Sequence, residues 1–230
     1  MPTTAPNAST HDAGPACDWV QRWTQLLPSG AAVLDVACGR GRHMKWFAQN
    51  GHPVTGLDRS VAAIDAAGAF GQAVLADIET NPWPLIENGQ IRQFDAVVVT
   101  NYLWRPLFPV ILQCLAPGGV LIYETFAQGN ETVGKPSRPE FLLQPGELLQ
   151  AFKELHVIAF EDGFLENPPR FVQRIAAVRI NPQTALDQVP QHHALDGDAS
   201  SFEVFYKNAL LGSISVPLFD FIIQAIFSIN

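Results

Sequence analysis

One segment constrains this chain more than any other: Val33-Leu34-Asp35-Val36-Ala37-Cys38-Gly39-Arg40-Gly41-Arg42-His43. Its apolar start, bounded by Gly30 and Gly39, suits a strand buried on both faces, as in a parallel sheet. It runs through two glycines directly into His43–Asn50, which reads as a helix ended by Gly51. A strand that turns straight into a helix has its next strand beside it and parallel, because the helix carries the chain back along the sheet.

The rest of the chain repeats this order. Strands are expected at Pro53–Leu57, Ala73–Ala76, Phe94–Thr100 and Val120–Thr125, with helices from Ser60 to about Gly68 and over Leu107–Leu115, and a turn at Pro117-Gly118-Gly119. Before them, Cys17–Leu27 places Trp19, Val20, Trp23, Leu26 and Leu27 on one face at helical spacing and stops at Pro28-Ser29-Gly30. A helix near Pro145–Leu155 and strands near Leu155–Phe160 and Phe171–Ile180 complete the set. The expectation is an α/β fold, Rossmann-like and doubly wound, with a mostly parallel seven-stranded sheet and helices on both faces. Ligands of such sheets sit beyond the carboxyl ends of the strands. Residues 1–16 read as a loose tail, 17–180 as the ligand-binding domain, and 181–230 as a polar linker followed by an apolar extension. Phe202 to Asn230 could form a hairpin and a helix that cover the domain or a dimer contact.

Composition narrows the function classes. At 47% hydrophobic and 16% charged residues, the 230-residue chain has the apolar surface to form a core. Its net charge of −8 argues against nucleic acid, whose phosphates need Lys and Arg, and points to a small-molecule substrate. Cys17, Cys38 and Cys114 show no CxxC spacing, and His192-His193 has no third ligand at recognisable spacing, so neither a disulfide framework nor a metal is expected. Met1–Pro15 lacks the basic and apolar regions of a secretory signal, and Ile214–Ile229, interrupted by Pro217, Asp220 and Gln224, falls short of the ~20 residues that span a bilayer. A cytoplasmic protein without a membrane span is expected.

The chemistry gathers at the strand ends. Gly39 and Gly41 allow positive φ and close approach of backbone to a ligand, although turns also use glycine for steric reasons alone. Asp35 can balance an ammonium group held there. In a dinucleotide fingerprint a third small residue packs the helix, whereas Met44 stands here and the strand itself carries Asp35, so NAD is the poorer fit. Asp58 ends the second strand beside the glycine loop, where it can accept two ribose hydroxyls or cap the helix that starts near Ser60. Asp77-Ile78 ends the third with an acid and an apolar residue able to pack on a flat ring. Asn101-Tyr102 follows the fourth.

These residues resemble class I S-adenosylmethionine-dependent methyltransferases, and within them the subgroup around tellurite-resistance and thiopurine methyltransferases. The resemblance covers about Trp19 to Ile180, is specific in Val33–His43 with Asp58 and Asp77, and is loose after Thr125. It implies that Asp35 and the loop at Cys38, Gly39 and Gly41, with His43, hold the methionine part of S-adenosylmethionine. It further implies that Asp58 with Arg59 takes the ribose, that Asp77 and Ile78 take the adenine, and that Asn101 lies by the donor. The chain departs from the family in placing Arg40 between the two glycines. The resemblance also implies that Trp19 or Trp23 closes over the site, against the plain reading of core packing.

The implied reaction is an in-line displacement of methyl onto an unidentified small-molecule acceptor, which needs alignment more than acid–base work. If the acceptor carries a proton, Asn101, Tyr102 and Glu124 are the candidate catalytic residues; Tyr102 and Phe126 offer aromatic faces to a cation, worth ~0.5 to 2 kcal/mol. Arg170 and Arg174 are either attractors of an anionic substrate or ordinary solvated arginines. Asn167-Pro168-Pro169-Arg170 has the look of a motif of base-methylating enzymes but stands in the wrong place, since that motif follows the fourth strand. The competing functions are an NAD-dependent oxidoreductase and a non-catalytic S-adenosylmethionine-binding protein.

Overall fold

The computed structural model describes residues 14–181 and the strand backbones of 201–206 and 209–215. The chain divides into two compact units, 1–188 and 189–230. In the first, helix α1 (Asp18–Trp23) leads to strand β1 (Val33–Val36), helix α2 (Arg42–Gln49), strand β2 (Val54–Asp58), helix α3 (Val61–Ala67) and strand β3 (Gln72–Leu75). A small hairpin, β4 (Ile86–Glu87) and β5 (Gln90–Ile91), precedes strand β6 (Phe94–Thr100) and helix α4 (Phe108–Cys114). Strand β7 (Leu115–Phe126), helix α5 (Glu147–Ala151) and the strands β8 (His156–Glu166) and β9 (Pro169–Val178) finish the unit.

These strands form one seven-stranded sheet in the order β3-β2-β1-β6-β7-β9-β8. The pairs β1–β2, β2–β3, β1–β6 and β6–β7 are parallel, and the last two strands join antiparallel. The Rossmann-like expectation holds. Each face carries its own core. Leu34, Val36, Val97 and Val99 pack under Ile111 of α4 and Leu148 of α5 on one side. Val33, Ala96 and Val98 pack under Trp19, Val20, Met44 and Phe47 on the other. Side chains as fully buried as Phe47 and Met44 contribute about 1.5–3 kcal/mol each through area removed from water.

Several boundaries differ from expectation. The first helix is α-helical only to Trp23 and tightens into a 3₁₀ turn at Thr24–Leu26, and α5 is five residues long. Pro117-Gly118-Gly119 is not a turn before a strand but an irregularity inside β7, where the register jumps from Phe94↔Leu115 to Ala96↔Val120. The end of β9 makes this possible, because Arg179 O accepts from Gly118 N at 2.7 Å and Arg179 N donates to Gly119 O at 2.8 Å. No helix among the described residues is long and apolar enough to cross a membrane.

In the second unit, β10 (Ser201–Tyr206) and β11 (Ala209–Ser215) pair antiparallel. The expected helix after this hairpin, His192-His193 and the tail before residue 14 lie outside the described residues.

Candidate functional site

The strand order reverses between β1 and β6, and a cleft of about 340 Å³ opens there beyond the carboxyl ends of the parallel strands. Ala37, Asp58, Arg59, Asp77, Ile78, Asn101 and Tyr102 line it. Ala37 after β1 and Asn101 after β6 are left-handed at φ 55° and 53°. Such backbone is uncommon for residues other than glycine and persists where the surroundings hold it. Here Cys38 N donates to Leu57 O and Asn101 N to Glu124 O, both at 2.9 Å.

The two glycines of the loop do different work. At Gly41, φ is +81° and an added Cβ would meet the Ala67 backbone at 3.0 Å, so this glycine lets α2 approach α3. At Gly39, φ is +55° and the same Cβ would meet nothing within 4 Å. Its Cβ side is therefore open space rather than a packing contact. Arg40 is exposed. Met44, in the third fingerprint position, lies with Cys38 against Gly56, where a Cβ would come within 2.3 Å of Sδ and 2.8 Å of Sγ. The glycine that lets this helix pack is thus on β2 rather than in the loop.

Asp58 accepts from Gly39 N at 2.9 Å through one oxygen and from Ser60 N at 2.8 Å through the other. The N-cap of α3 is Ser60 itself, whose Oγ accepts from Ala63 N. Asp58 therefore serves the loop more than the helix. Asp77 accepts from Glu79 N at 3.1 Å, and hydrogen bonds from Thr80 and Glu79 hold its carboxyl below the usual range.

Asp35 is wholly buried and neither of its oxygens has a partner. Burial pushes its pKa up to about 8, against the pull of Arg42 and with a push from Asp58. His43, in the first turn of α2, is also buried. Its Nε2 accepts from Cys17 N, and its Nδ1 lies 3.3 Å from Thr100 Oγ1, which assigns the proton of the neutral ring to Nδ1. Burial lowers its pKa to about 3. The structure thus uses His43 to tie the segment before α1 to β6. Trp19 is core: it is 1% exposed and donates Nε1 to Ile175 O.

Carboxylates on the far side of the sheet are treated differently. Glu124, 2% exposed, meets Arg174 at 3.2 Å and Arg170 at 3.4 Å, and Arg174 also pairs with Glu161 while lying 4.7 Å over the Trp19 ring. Arg174 is an ion-paired core residue rather than a solvated one. The Tyr102 hydroxyl donates to Glu79 at 3.2 Å, and burial, then the Glu79 charge, raises its pKa.

Sequence reasoning missed the cover over this end of the cleft, to which Pro136 and Phe141 contribute. Asn130, buried, donates to Pro136 O and accepts from Phe171 N. Arg105 donates to both oxygens of Glu147 at 2.6 and 2.9 Å and to the carbonyls of Glu140 and Leu142. Apart from Asn130–Pro136, these pairs join residues 35 to 42 apart, and no local motif announces them. In the Asn167-Pro168-Pro169-Arg170 run, the first two residues turn β8 into β9 and the last two begin β9, and none of the four is among the cleft-lining residues.

Residues 9–173 match a methyltransferase domain family. The chain belongs to that family. It is 27% identical over 155 residues to the tRNA U34 carboxymethyltransferase of Klebsiella pneumoniae, covering 61% of this chain and 43% of that one. It is 31% identical over 103 residues to the malonyl-[acyl-carrier protein] O-methyltransferase of Salmonella typhimurium, covering 44% and 41%. The chain spans less than half the length of these curated relatives. Its fold is similar to that of TehB from Haemophilus influenzae, at a TM-score of 0.57 and 18% identity over 70% of this chain and 61% of that one. A TehB-like protein from Corynebacterium glutamicum gives 0.52 at 19%, over 70% and 86%.

Proposed function

We propose that this chain, through residues 17–180, transfers a methyl group from S-adenosylmethionine to a small-molecule acceptor by in-line displacement. The observation that carries the reading is the buried, unpartnered carboxylate of Asp35 on the strand that leads into the glycine loop, where the Cβ side of Gly39 is open. A buried carboxylate without a partner costs free energy unless a cation arrives, and an amino acid's ammonium group is such a cation. Family membership and the charge on β1 favour this reading over a nicotinamide cofactor.

The remaining residues fit the rest of the donor. Asp58, oriented by Gly39 N and Ser60 N, offers its remaining lone pairs to vicinal hydroxyls, and Asp77 with Ile78 offers an acceptor beside an apolar wall. The donor supplies a methyl group already activated by positive charge. What this chain adds is alignment and a dry floor: Leu103, Phe126, Pro136 and Phe141 line the far end of the cleft. Glu124, held by two arginines, is poorly suited to act as a base, and Tyr102, its proton held toward Glu79, is no better.

The net charge of −8 favours a small acceptor over tRNA, although one relative carries a tRNA name. The free Cys17, Cys38 and Cys114 support a cytoplasmic setting. The test is twofold: binding of S-adenosylhomocysteine against NAD, then its formation from S-adenosylmethionine across a panel of carboxylates, thiols and amines. Preference for NAD would overturn the reading. Binding of the adenosyl ligand with no product from any acceptor would favour the non-catalytic alternative.

A further inference from the structure

We propose that the methyl acceptor is a carboxylate with an apolar body, and that Arg170 takes its charge; this rests on the methyl-transfer reading above. Among the described residues, the ion-paired cluster beside the cleft contains Arg22, Arg170 and Arg174 against Glu124 and Glu161. One guanidinium is therefore in surplus, in a chain whose net charge is −8. The surplus belongs to Arg170. Arg174 is 9% exposed and engages both carboxylates, whereas Arg170 is 19% exposed and has a single contact, at 3.4 Å.

Register places this guanidinium next to the acceptor end. Glu124 pairs with Arg174 and Phe126 with Val172, so Arg170, two residues before Val172 in β9, lies on the same sheet face just past Phe126. Phe126 lines the cleft, as do Pro136 and Phe141 from the cover that Asn130 and Arg105 hold in place. An apolar body fits this wall while its charged end reaches Arg170.

The chemistry agrees. Glu124 is neutralised, His43 stays neutral with both ring nitrogens engaged, and burial pushes the Cys17 thiol up to about 11, so none of these removes a proton at neutral pH. A carboxylate needs no such help. Its oxygen forms the bond to the methyl carbon, the carbon–sulfur bond breaks with its electron pair kept on sulfur, and a neutral ester and a neutral thioether result with no proton released. A thiol acceptor would have to lose a proton first, and a guanidinium fork matches two coplanar oxygens better than one sulfur.

The experiment titrates the full chain, saturated with S-adenosylhomocysteine, with benzoate and hexanoate beside their methyl esters as uncharged controls. At least one carboxylate should bind at least tenfold tighter than its ester. Arg170→Gln should abolish that preference and Arg170→Lys weaken it, both with unchanged affinity for S-adenosylhomocysteine, while Arg22→Gln leaves it intact. Turnover of the bound carboxylate in weakly buffered indicator solution should release no proton per ester formed. No preference for carboxylate over ester, an unaffected Arg170→Gln variant, or one proton per turnover would each overturn the proposal. Failure of S-adenosylhomocysteine to bind the unaltered chain would instead remove the methyl-transfer reading itself.

Discussion

On and just after β1, β2 and β3 the carboxylates of Asp35, Asp58 and Asp77 meet backbone N–H groups, a Thr80 side chain or no partner at all, whereas on β7 and β8 Glu124 and Glu161 meet arginines. The first half of the sheet edge keeps its carboxyl groups free of cationic partners; the second pairs them with arginines. Under the proposed function, the difference separates two tasks. A cleft that takes a positively charged donor needs carboxylates ready to receive it, and an acceptor end without a free base needs fixed walls and cancelled charge.

The largest test of this contrast lies in the second half. Glu124→Gln leaves two arginines without a buried counter-charge and should cost about 3 kcal/mol in chemical denaturation, with adenosyl-ligand affinity unchanged. Loss of ligand affinity with intact stability would invert the comparison.

Next comes Asp35, whose pKa is about 8 in the fold against 3.8 in the unfolded chain. The folded state keeps a proton that the unfolded state loses, so this residue contributes stability that is present below pH 4 and lost as pH rises through 8. His43, lowered to about 3, acts in the opposite sense and loses stability as pH falls from 6.5. The difference between the wild type and Asp35→Asn therefore isolates the carboxylate. It should change by about 2 kcal/mol between pH 5 and 6.5, measured by denaturation, and binding of an ammonium-bearing ligand at pH 7 should release a proton only in the wild type.

Arg105→Met should cost about 1–2 kcal/mol, because its pair with Glu147 is part-exposed, and should speed hydrogen exchange over residues 139–147 without weakening the adenosyl ligand. The smallest effect on stability belongs to Gly39→Ala, about 1 kcal/mol for a left-handed residue facing open space. That variant should nevertheless lose at least tenfold in ligand affinity by calorimetry. Gly41→Ala, which collides with Ala67, should cost more stability than its neighbour.

The same division explains what the sequence makes legible. The first half is built from adjacent residues: a strand, a glycine loop and an acid at each strand end follow one another along the chain, so Asp35, Gly39, Asp58 and Asp77 can be read from spacing alone. The second half is built from distant pairs. Glu124 and Arg174 are fifty residues apart and Arg105 and Glu147 forty-two, and neither sits in a local pattern. Glu124 looks like a base until Arg174 is seen against it. His43 reads as a helix-start residue that the resemblance assigns to the donor, and only the fold shows Cys17 and Thr100 at both its nitrogens. The register jump in β7 is hidden for the same reason, since the strand that accommodates it lies about sixty residues later.

The central claim, that the carboxylate edge of β1–β3 receives an adenosyl donor, is tested most directly by calorimetric titration of the wild type and Asp58→Ala with S-adenosylhomocysteine. The account predicts binding to the wild type and at least a hundredfold loss in the variant, which removes both a hydroxyl acceptor and the anchor of Gly39 N. Equal affinity in the two proteins, or no binding to the wild type, would contradict it.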